Sequence, residues 1–274
     1  MAHTSVATPH FAQGDFRVGS VIRRSASMLS GHFLTFFIVT VIAYSPIILL
    51  ARTLTTQPTD LTDLDWALLQ MAWGGLGLVQ LIVLGTFSEA VIVHAAFQDL
   101  QRRPVRLAES LNVALRRFLP IVAVAFAMVN LINLVVGLAS VVVLSIQYEY
   151  LQYVWPFLLI IIPGLVLYAM WFVAVPACVV ERLGPWTSLR RSRDLTKGHR
   201  WKLCGLTLLL IIPIVGIIKF GLAIDEGPIV GPIINWICRG ICAAFAAVVG
   251  AVTYHDLRVV KEGLNIDQIT KVFD

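Results

Sequence analysis

Six long stretches of apolar residues, separated by short polar segments, dominate the pattern of the chain. A helix needs about 20 apolar residues to cross the roughly 30 Å hydrocarbon core of a bilayer. The pattern therefore predicts six membrane-spanning helices, at residues 33–51, 66–97, 118–144, 153–180, 203–218 and 229–253. The second stretch is long enough to tilt. The fifth is short, so Lys202 is expected to extend its ammonium group towards the interface.

The two ends of the chain differ from this membrane domain, which is predicted to occupy residues 15–257. Residues 1–14 are polar, small and aperiodic, which predicts a disordered tail. They do not resemble a signal peptide, because the first apolar stretch begins only at Phe33 and no small-residue cleavage site follows it. Residues 258–274 are predicted to form a C-terminal tail.

The composition supports an all-α polytopic bundle. The chain is 58% hydrophobic and 14% charged, with a mean hydropathy of +0.84, whereas soluble domains are about 45–50% apolar and about 25% charged. The net charge of +5 raises the question of nucleic acid. However, the basic residues lie in short segments between apolar stretches, where membrane topology accounts for them. No nucleic-acid partner is expected.

The positions of lysine and arginine predict the orientation. Of the 21 basic residues, 18 lie in the N-terminal segment, in 98–117, in 181–202 and in the C-terminal tail. Six alternating spans place these four segments on one side, so the positive-inside rule predicts that both termini are cytoplasmic. Trp186, Trp201 and Tyr254 are expected to mark the inner interface, as aromatic side chains do at headgroup level.

Two segments of the chain echo each other. RRSASMLSGH (23–32) and RRSRDLTKGH (190–199) align without a gap at an offset of 167, with eight identities between residues 22 and 52. Each segment is amphipathic and too charged to span a membrane, so each predicts an interfacial helix. Gly31 and Gly198 are expected to stop these helices. Ser25 and Ser192 lie on the apolar faces, where a small residue that permits close packing is a better interpretation than a nucleophile.

A third segment, AESLNVALRRFLP (108–120), is also amphipathic and leads into an apolar stretch. We therefore expect three units, each an interfacial helix followed by a membrane hairpin. Small residues in the sixth span and the GGLG of 74–77 are expected to lie at the bundle centre, because small side chains let helices approach closely.

The repeated arginines suggest contact with phosphate, because the guanidinium fork binds phosphate oxygens in pairs. Topology alone would also place basic residues here, but without a repeated spacing. The candidates for binding anionic lipid headgroups or another phosphate are Arg23, Arg24, His32, Arg190, Arg191 and His199. Membrane lipids, especially anionic ones, are the expected partners.

Charged residues also occur inside the apolar stretches. Glu89 and Arg239 lie within spans, where an isolated charge costs about 2.5–3.5 kcal/mol on insertion scales. We expect these two to pair, or to share a polar cavity with His94, Asn130 and Asn133. A structural ion pair without any transport role is the alternative.

No catalytic, metal or cofactor motif is present. The sequence has no His-Glu-x-x-His, P-loop or Gly-x-Ser-x-Gly motif. The four cysteines lie in or beside apolar stretches, and no nearby ligand set would complete a metal site, so free thiols are expected: Cys178, Cys204, Cys238 and Cys242. The protein is therefore not expected to be an enzyme or to bind a cofactor.

Two motifs resemble a known family. VPACVVERLGPWTSLRRSRDLTKGHRWKL (175–203) and AVTYHDLRVVKEG (251–263) are similar to bacterial six-span proteins related to the membrane domain of glycerophosphoryl diester phosphodiesterases. The resemblance implies an inner-membrane protein. It carries over no catalytic residue, since the phosphodiesterase chemistry belongs to a separate barrel domain that these 274 residues do not contain.

Three functional hypotheses remain after the sequence analysis. The favoured one is a membrane scaffold or lipid-interacting protein with a basic cytoplasmic face. The second is a carrier or channel-like protein for an anionic or phosphorylated metabolite. The third and least favoured is an enzyme acting on lipids, which would require a His–acid–Ser cluster at the inner face.

Overall fold

The computed structural model describes residues 16–55, 75–77, 79–144, 155–223 and 227–262, together with Asp65, Leu68 and Met71. These residues are helical apart from short turns, and no strand occurs among them. The tail predicted at 1–14 and most of the one predicted after residue 258 lie outside the described part of the chain.

Ten α-helices and one π-helical turn make up the described residues. The α-helices are α1 Val18–Gly31, α2 Phe33–Thr55, α3 Thr86–Leu100, α4 Leu107–Arg116, α5 Phe118–Leu144, α6 Trp155–Trp171, α7 Ala174–Val180, α8 Pro185–Thr196, α9 Arg200–Ala223 and α10 Gly227–Glu262. The π-helical turn, Leu81–Gly85, leads directly into α3.

Four helical stretches are long and apolar enough to cross a membrane: Gly75–Leu100, Phe118–Leu138, Ile162–Val180 and Trp236–Glu262. The α1–α2 pair is bent by 88° and the α8–α9 pair by 106°, and counting each bent pair as one span raises the number to six. The protein is thus an all-helical chain with four to six candidate membrane spans.

The last helix is longer than the sequence pattern predicts. It continues to Glu262, so the first residues of the predicted C-terminal tail are helical. Arg258 donates from Nε to Oε2 of Glu262, four residues later, at 3.0 Å. Such an i, i+4 pair contributes a few tenths of a kcal/mol to the helix.

α10 also lies at the centre of the bundle, in contact with α1, α2, α3, α7, α8 and α9. Small residues on α10 allow these helices to approach it closely, as the sequence predicts. At Gly240 an added Cβ would lie 3.2 Å from Cγ2 of Val41 on α2. The prediction is wrong for Gly75 and Gly77, because no atom lies within 4 Å of a Cβ added at either position.

The two predicted glycine stops differ. Gly198 adopts a φ of +93°, the left-handed conformation that favours glycine, and separates α8 from α9. Gly31 is instead the last residue of α1, whose end is closed by the N–H of His32 bonding to the carbonyl of Met28. The chain bends at His32 without a left-handed residue, so the glycine stop is correct only for the second copy.

Candidate functional site

A carboxylate at the end of α7 joins three helices. Glu181 receives two hydrogen bonds from Nε of Arg191 on α8, at 2.9 and 3.0 Å, and one from Nη2 at 2.8 Å. Tyr254 on α10 donates its hydroxyl to Oε1 of the same carboxylate at 2.6 Å. Glu181 thereby ties α7 to both α8 and α10.

Arg191 extends the network to the end of α10. Its Nη2 also bonds to Oε1 of Glu262, which receives a further bond from Arg258. Burial alone would lower the pKa of the Arg191 guanidinium, but the bonds to Glu181 and Glu262 outweigh it and raise that pKa. Arg191 is therefore a permanent cation held between two carboxylates.

A similar contact anchors the first amphipathic helix. Arg24 on α1 donates from Nη1 to Oδ1 of Asp256 on α10 at 2.6 Å, and Nε2 of His32 lies 3.6 Å from Oδ1 of Asp99. Carboxylates on other helices engage both guanidinium groups, which gives Arg24 and Arg191 a structural role, and their contact with phosphate stays a prediction. These arginines hold helices together.

The remaining predicted phosphate-binding residues are placed differently. Arg23 and Arg190 are exposed to solvent. His199 packs its ring edge-on against Phe16, with the centroids 5.9 Å apart. Arg24 is also exposed despite its ion pair, so three of the four predicted arginines, Arg23, Arg24 and Arg190, are accessible to a lipid headgroup.

Two of the three aromatic residues predicted for the inner interface are on the surface. Trp186 is 68% exposed and Trp201 is 81% exposed. Tyr254 is fully buried, so its prediction as an interface residue is wrong. Its hydroxyl group already has the buried partner that such a residue needs, the carboxylate of Glu181.

A cavity of about 360 Å³ lies between the central helices. Its polar wall includes Tyr44, Glu89, Asn133 and Tyr168, and the small side chains of α10 form the opposite wall. Glu89 and Asn133 are thus brought together as predicted.

The other three predicted intramembrane residues do not line this cavity. Asn130 is exposed and donates to the carbonyl of Phe126 at 2.8 Å. Among the described residues no ion pair between Glu89 and Arg239 is found, so their pairing stays a prediction. His94 belongs to a second cavity.

This second cavity, of about 380 Å³, lies where the ends of α3 and α7 meet the start of α4. Its charged and polar lining, among the described residues, consists of His94, Gln98, Gln101, Arg103, Arg106, Glu109 and Arg182. From the sequence alone, these arginines are interpreted only as topology signals. The segment RRPVR (102–106) could have indicated the site, because its proline stiffens a short loop that carries several guanidinium groups.

Gln98 shapes the loop that carries two of these arginines. Its backbone carbonyl accepts the N–H of Arg103 at 2.9 Å, and its side-chain Oε1 accepts the N–H of Arg106 at 2.9 Å. Arg102 and Arg182 adopt φ values of 56° and 55°, a left-handed conformation that costs roughly 1–2 kcal/mol in a residue other than glycine. The surrounding contacts hold both loops in this strained form.

A histidine and a serine meet behind this cavity. Nδ1 of His94 lies 3.0 Å from Oγ of Ser110, which also donates to the carbonyl of Arg106. Ser110 is fully buried and is not part of the cavity wall, so its hydroxyl is not accessible to a substrate. This pair fixes the histidine ring, and the carboxylate of Glu109 belongs to the lining of the same cavity.

The cysteines offer no further chemistry. All four are free thiols. In the parts of the chain that the structure describes, no group of three or more His, Cys, Asp or Glu residues is placed to hold a metal ion. The candidate sites are therefore the two cavities and the exposed arginines.

The fold and these sites define an all-helical protein with four to six candidate membrane spans. Some arginines at the ends of its helices form ion pairs with carboxylates, and others line the second cavity. Residues 110–257 match the family described as Domain of unknown function (DUF7847). Because the match covers more than half of the chain, the protein belongs to this family. No curated protein and no solved structure matches the chain.

Proposed function

We propose that the protein is a six-span protein of the inner membrane, with both termini in the cytoplasm, that binds anionic lipids through a basic surface and acts as a membrane scaffold. The observation that carries this proposal is the set of short amphipathic helices beside apolar ones. α1 and α8 each turn by about a right angle into the following helix, at 88° and 106°. Such helices suit the plane of an interface.

The exposed side chains support the same placement. On α4 the outward-facing large residues are Leu107, Leu111 and Leu115, which are spaced four apart and form one stripe. Trp186 and Trp201 are exposed near the bend between α8 and α9. Apolar side chains in these positions would enter the boundary between headgroups and acyl chains, leaving the neighbouring arginines at phosphate level.

We also propose that the chain contains an internal repeat at an offset of 167 residues. Burial supports this: the pairs Val21 and Ser188, Ser25 and Ser192, and Phe36 and Leu203 are all buried. The two bent helix pairs begin at corresponding places. α4 and α5 would form the middle unit. A shared origin with the membrane domain of glycerophosphoryl diester phosphodiesterases remains a proposal based on the motifs at 175–203 and 251–263.

The test compares vesicles with and without anionic lipid. The protein is reconstituted into both, and its thermal unfolding is followed by circular dichroism. The stabilisation by anionic lipid is expected to decrease in the double variant Arg23→Gln/Arg190→Gln, because each basic residue near an anionic surface contributes about 1 kcal/mol.

The matched control is Arg23→Lys/Arg190→Lys, which keeps the charge and removes the planar fork. Retention of most of the stabilisation in the lysine variant would indicate general attraction. Loss in both variants would indicate bidentate contact with phosphate. If neither the wild type nor any variant distinguishes anionic from neutral vesicles, the lipid-binding proposal is wrong.

A carrier of anionic metabolites is the second candidate, and only the volume of the central cavity supports it, because the lining contains the acidic Glu89 and, among the described residues, no basic side chain. Its volume of about 360 Å³ falls within the roughly 300–1,000 Å³ typical of small-molecule sites. A carrier should take up a phosphorylated solute in proteoliposomes, and Glu89→Gln should change that uptake. Absence of uptake for inorganic phosphate and for simple phosphate esters would favour the scaffold.

A further inference from the structure

We propose that the second cavity, lined by His94, Arg103, Arg106, Glu109 and Arg182, is a binding site for a phosphoryl group. This inference rests on the proposed function and names the site at which an individual anion is recognised. The ligand is the phosphate of a lipid headgroup or of a soluble phosphate ester, two sources that present the same chemistry to the cavity.

The first argument is that the arginines of the cavity differ from Arg24 and Arg191 in their ion-pair partners. Arg24 and Arg191 each have a carboxylate partner. By contrast, none of the ion pairs among the described residues engages Arg103, Arg106 or Arg182. Arginines that line a cavity and have no ion-pair partner among the described residues are suited to an external anion.

The second argument is the balance of charge. Three arginines and one glutamate line the cavity, which leaves a formal charge of +2 with a neutral histidine. A phosphate monoester carries about −1.5 to −2 at neutral pH. A ligand of this class would neutralise the cavity almost completely.

The third argument is preorganisation. Gln98 is buried and accepts the backbone N–H groups of both Arg103 and Arg106, so the arginines start from a fixed loop. Arg182 follows Glu181, which Arg191 and Tyr254 hold in place. A site whose backbone is already positioned loses less entropy on binding.

The location agrees with a headgroup. The cavity adjoins the first turn of α4, whose outward leucines begin at Leu107. If that stripe rests on acyl chains, the cavity lies at the depth of lipid phosphates. The hydrogen bond between Nδ1 of His94 and Ser110 fixes the orientation of the histidine ring in the lining.

The experiment uses the full-length protein in mild detergent with no bilayer. Native mass spectrometry measures retention of phosphatidic acid, a phosphomonoester lipid, and of phosphatidylglycerol, a phosphodiester lipid. Thermal unfolding with inorganic phosphate tests the soluble source. The variant is Arg103→Gln/Arg106→Gln, and the control, Arg116→Gln/Arg193→Gln, removes two exposed arginines outside the cavity.

The cavity variant is expected to bind about tenfold more weakly for each arginine removed, while the control binds like the wild type. Glu109→Gln should bind more tightly, because it removes the only carboxylate of the lining; general damage to the fold would not produce this gain. If the cavity variant loses helical content, binding is measured instead in Arg182→Gln, which removes a lining arginine from a different loop.

The results distinguish a lipid headgroup from a soluble phosphate as the ligand. Retention of lipid that inorganic phosphate does not displace identifies a headgroup site, and stabilisation by inorganic phosphate identifies a site for soluble phosphate. Wild-type affinity for every probe in the arginine variants, or weaker binding in Glu109→Gln, would overturn the inference. Because no bilayer is present and Arg23 and Arg190 are unchanged, failure here is distinct from failure of the vesicle experiment.

Discussion

Replacing Arg191 with glutamine is expected to destabilise the protein more than any other single loss of an arginine on α8. The substitution removes three hydrogen bonds to Glu181 and the contact with Glu262. It leaves Glu181 with only the hydroxyl of Tyr254 as partner and Glu262 with only Arg258.

The expected loss in the free energy of unfolding follows from the burial of the ion pair between Arg191 and Glu181. Removing one partner of a buried ion pair costs about 3–5 kcal/mol. Here the side chains of Arg191 and Glu181 remain 28% and 17% exposed, so water recovers part of this cost and we expect about 2–3 kcal/mol. Tyr254→Phe should cost less, about 1.5 kcal/mol, because Glu181 would keep its guanidinium partner.

The assay is reversible unfolding of the full-length protein in detergent, followed by helical circular dichroism during a titration with a denaturing detergent. Arg193→Gln is the matched control, since Arg193 is exposed on the same helix and should change stability by less than about 0.5 kcal/mol. Equal stability of the Arg191 and Arg193 variants would refute the view that the carboxylate network holds α7, α8 and α10 together.

Two further predictions use the same assay. Ser192→Ala should cost about 1 kcal/mol, because its hydroxyl donates to the carbonyl of Met170 at 2.9 Å, whereas Ser25→Ala should be nearly neutral, because that buried hydroxyl has no hydrogen-bond partner among the described residues. Equal costs for the two variants would contradict this. Gly240→Leu should cost about 1–3 kcal/mol and Gly240→Ala less, because a Cβ alone already lies 3.2 Å from Val41; a leucine variant as stable as wild type would contradict close packing there.

Much of the helical architecture could be predicted from the sequence. Uninterrupted apolar stretches leave few alternatives to long helices, and the echo between 23–32 and 190–199 located both bent helix pairs. The burial of Ser25 and Ser192 was also predicted correctly from their positions on the apolar faces. These features depend on local periodicity, which can be read from a single sequence.

The partners of the charged groups could not be predicted in the same way. Arg24 and Asp256 are separated by 232 positions, and Arg191 and Glu262 by 71. Nothing in the local pattern indicates which acid a long side chain will reach. The second cavity could not be predicted for the same reason. Its arginines come from loops after two different helices, and only packing brings those loops together.

The position of α10 has a consequence for biosynthesis. Among the described helices, the one that contacts six others is also the furthest along the chain, Gly227–Glu262. Chains are synthesised from the N-terminus, so the helices that pack around α10 leave the ribosome before it does. The faces that they present to α10 lack that partner until residues 227–262 have been made. A protein truncated before residue 227 would keep the earlier helices and lose the element around which they pack.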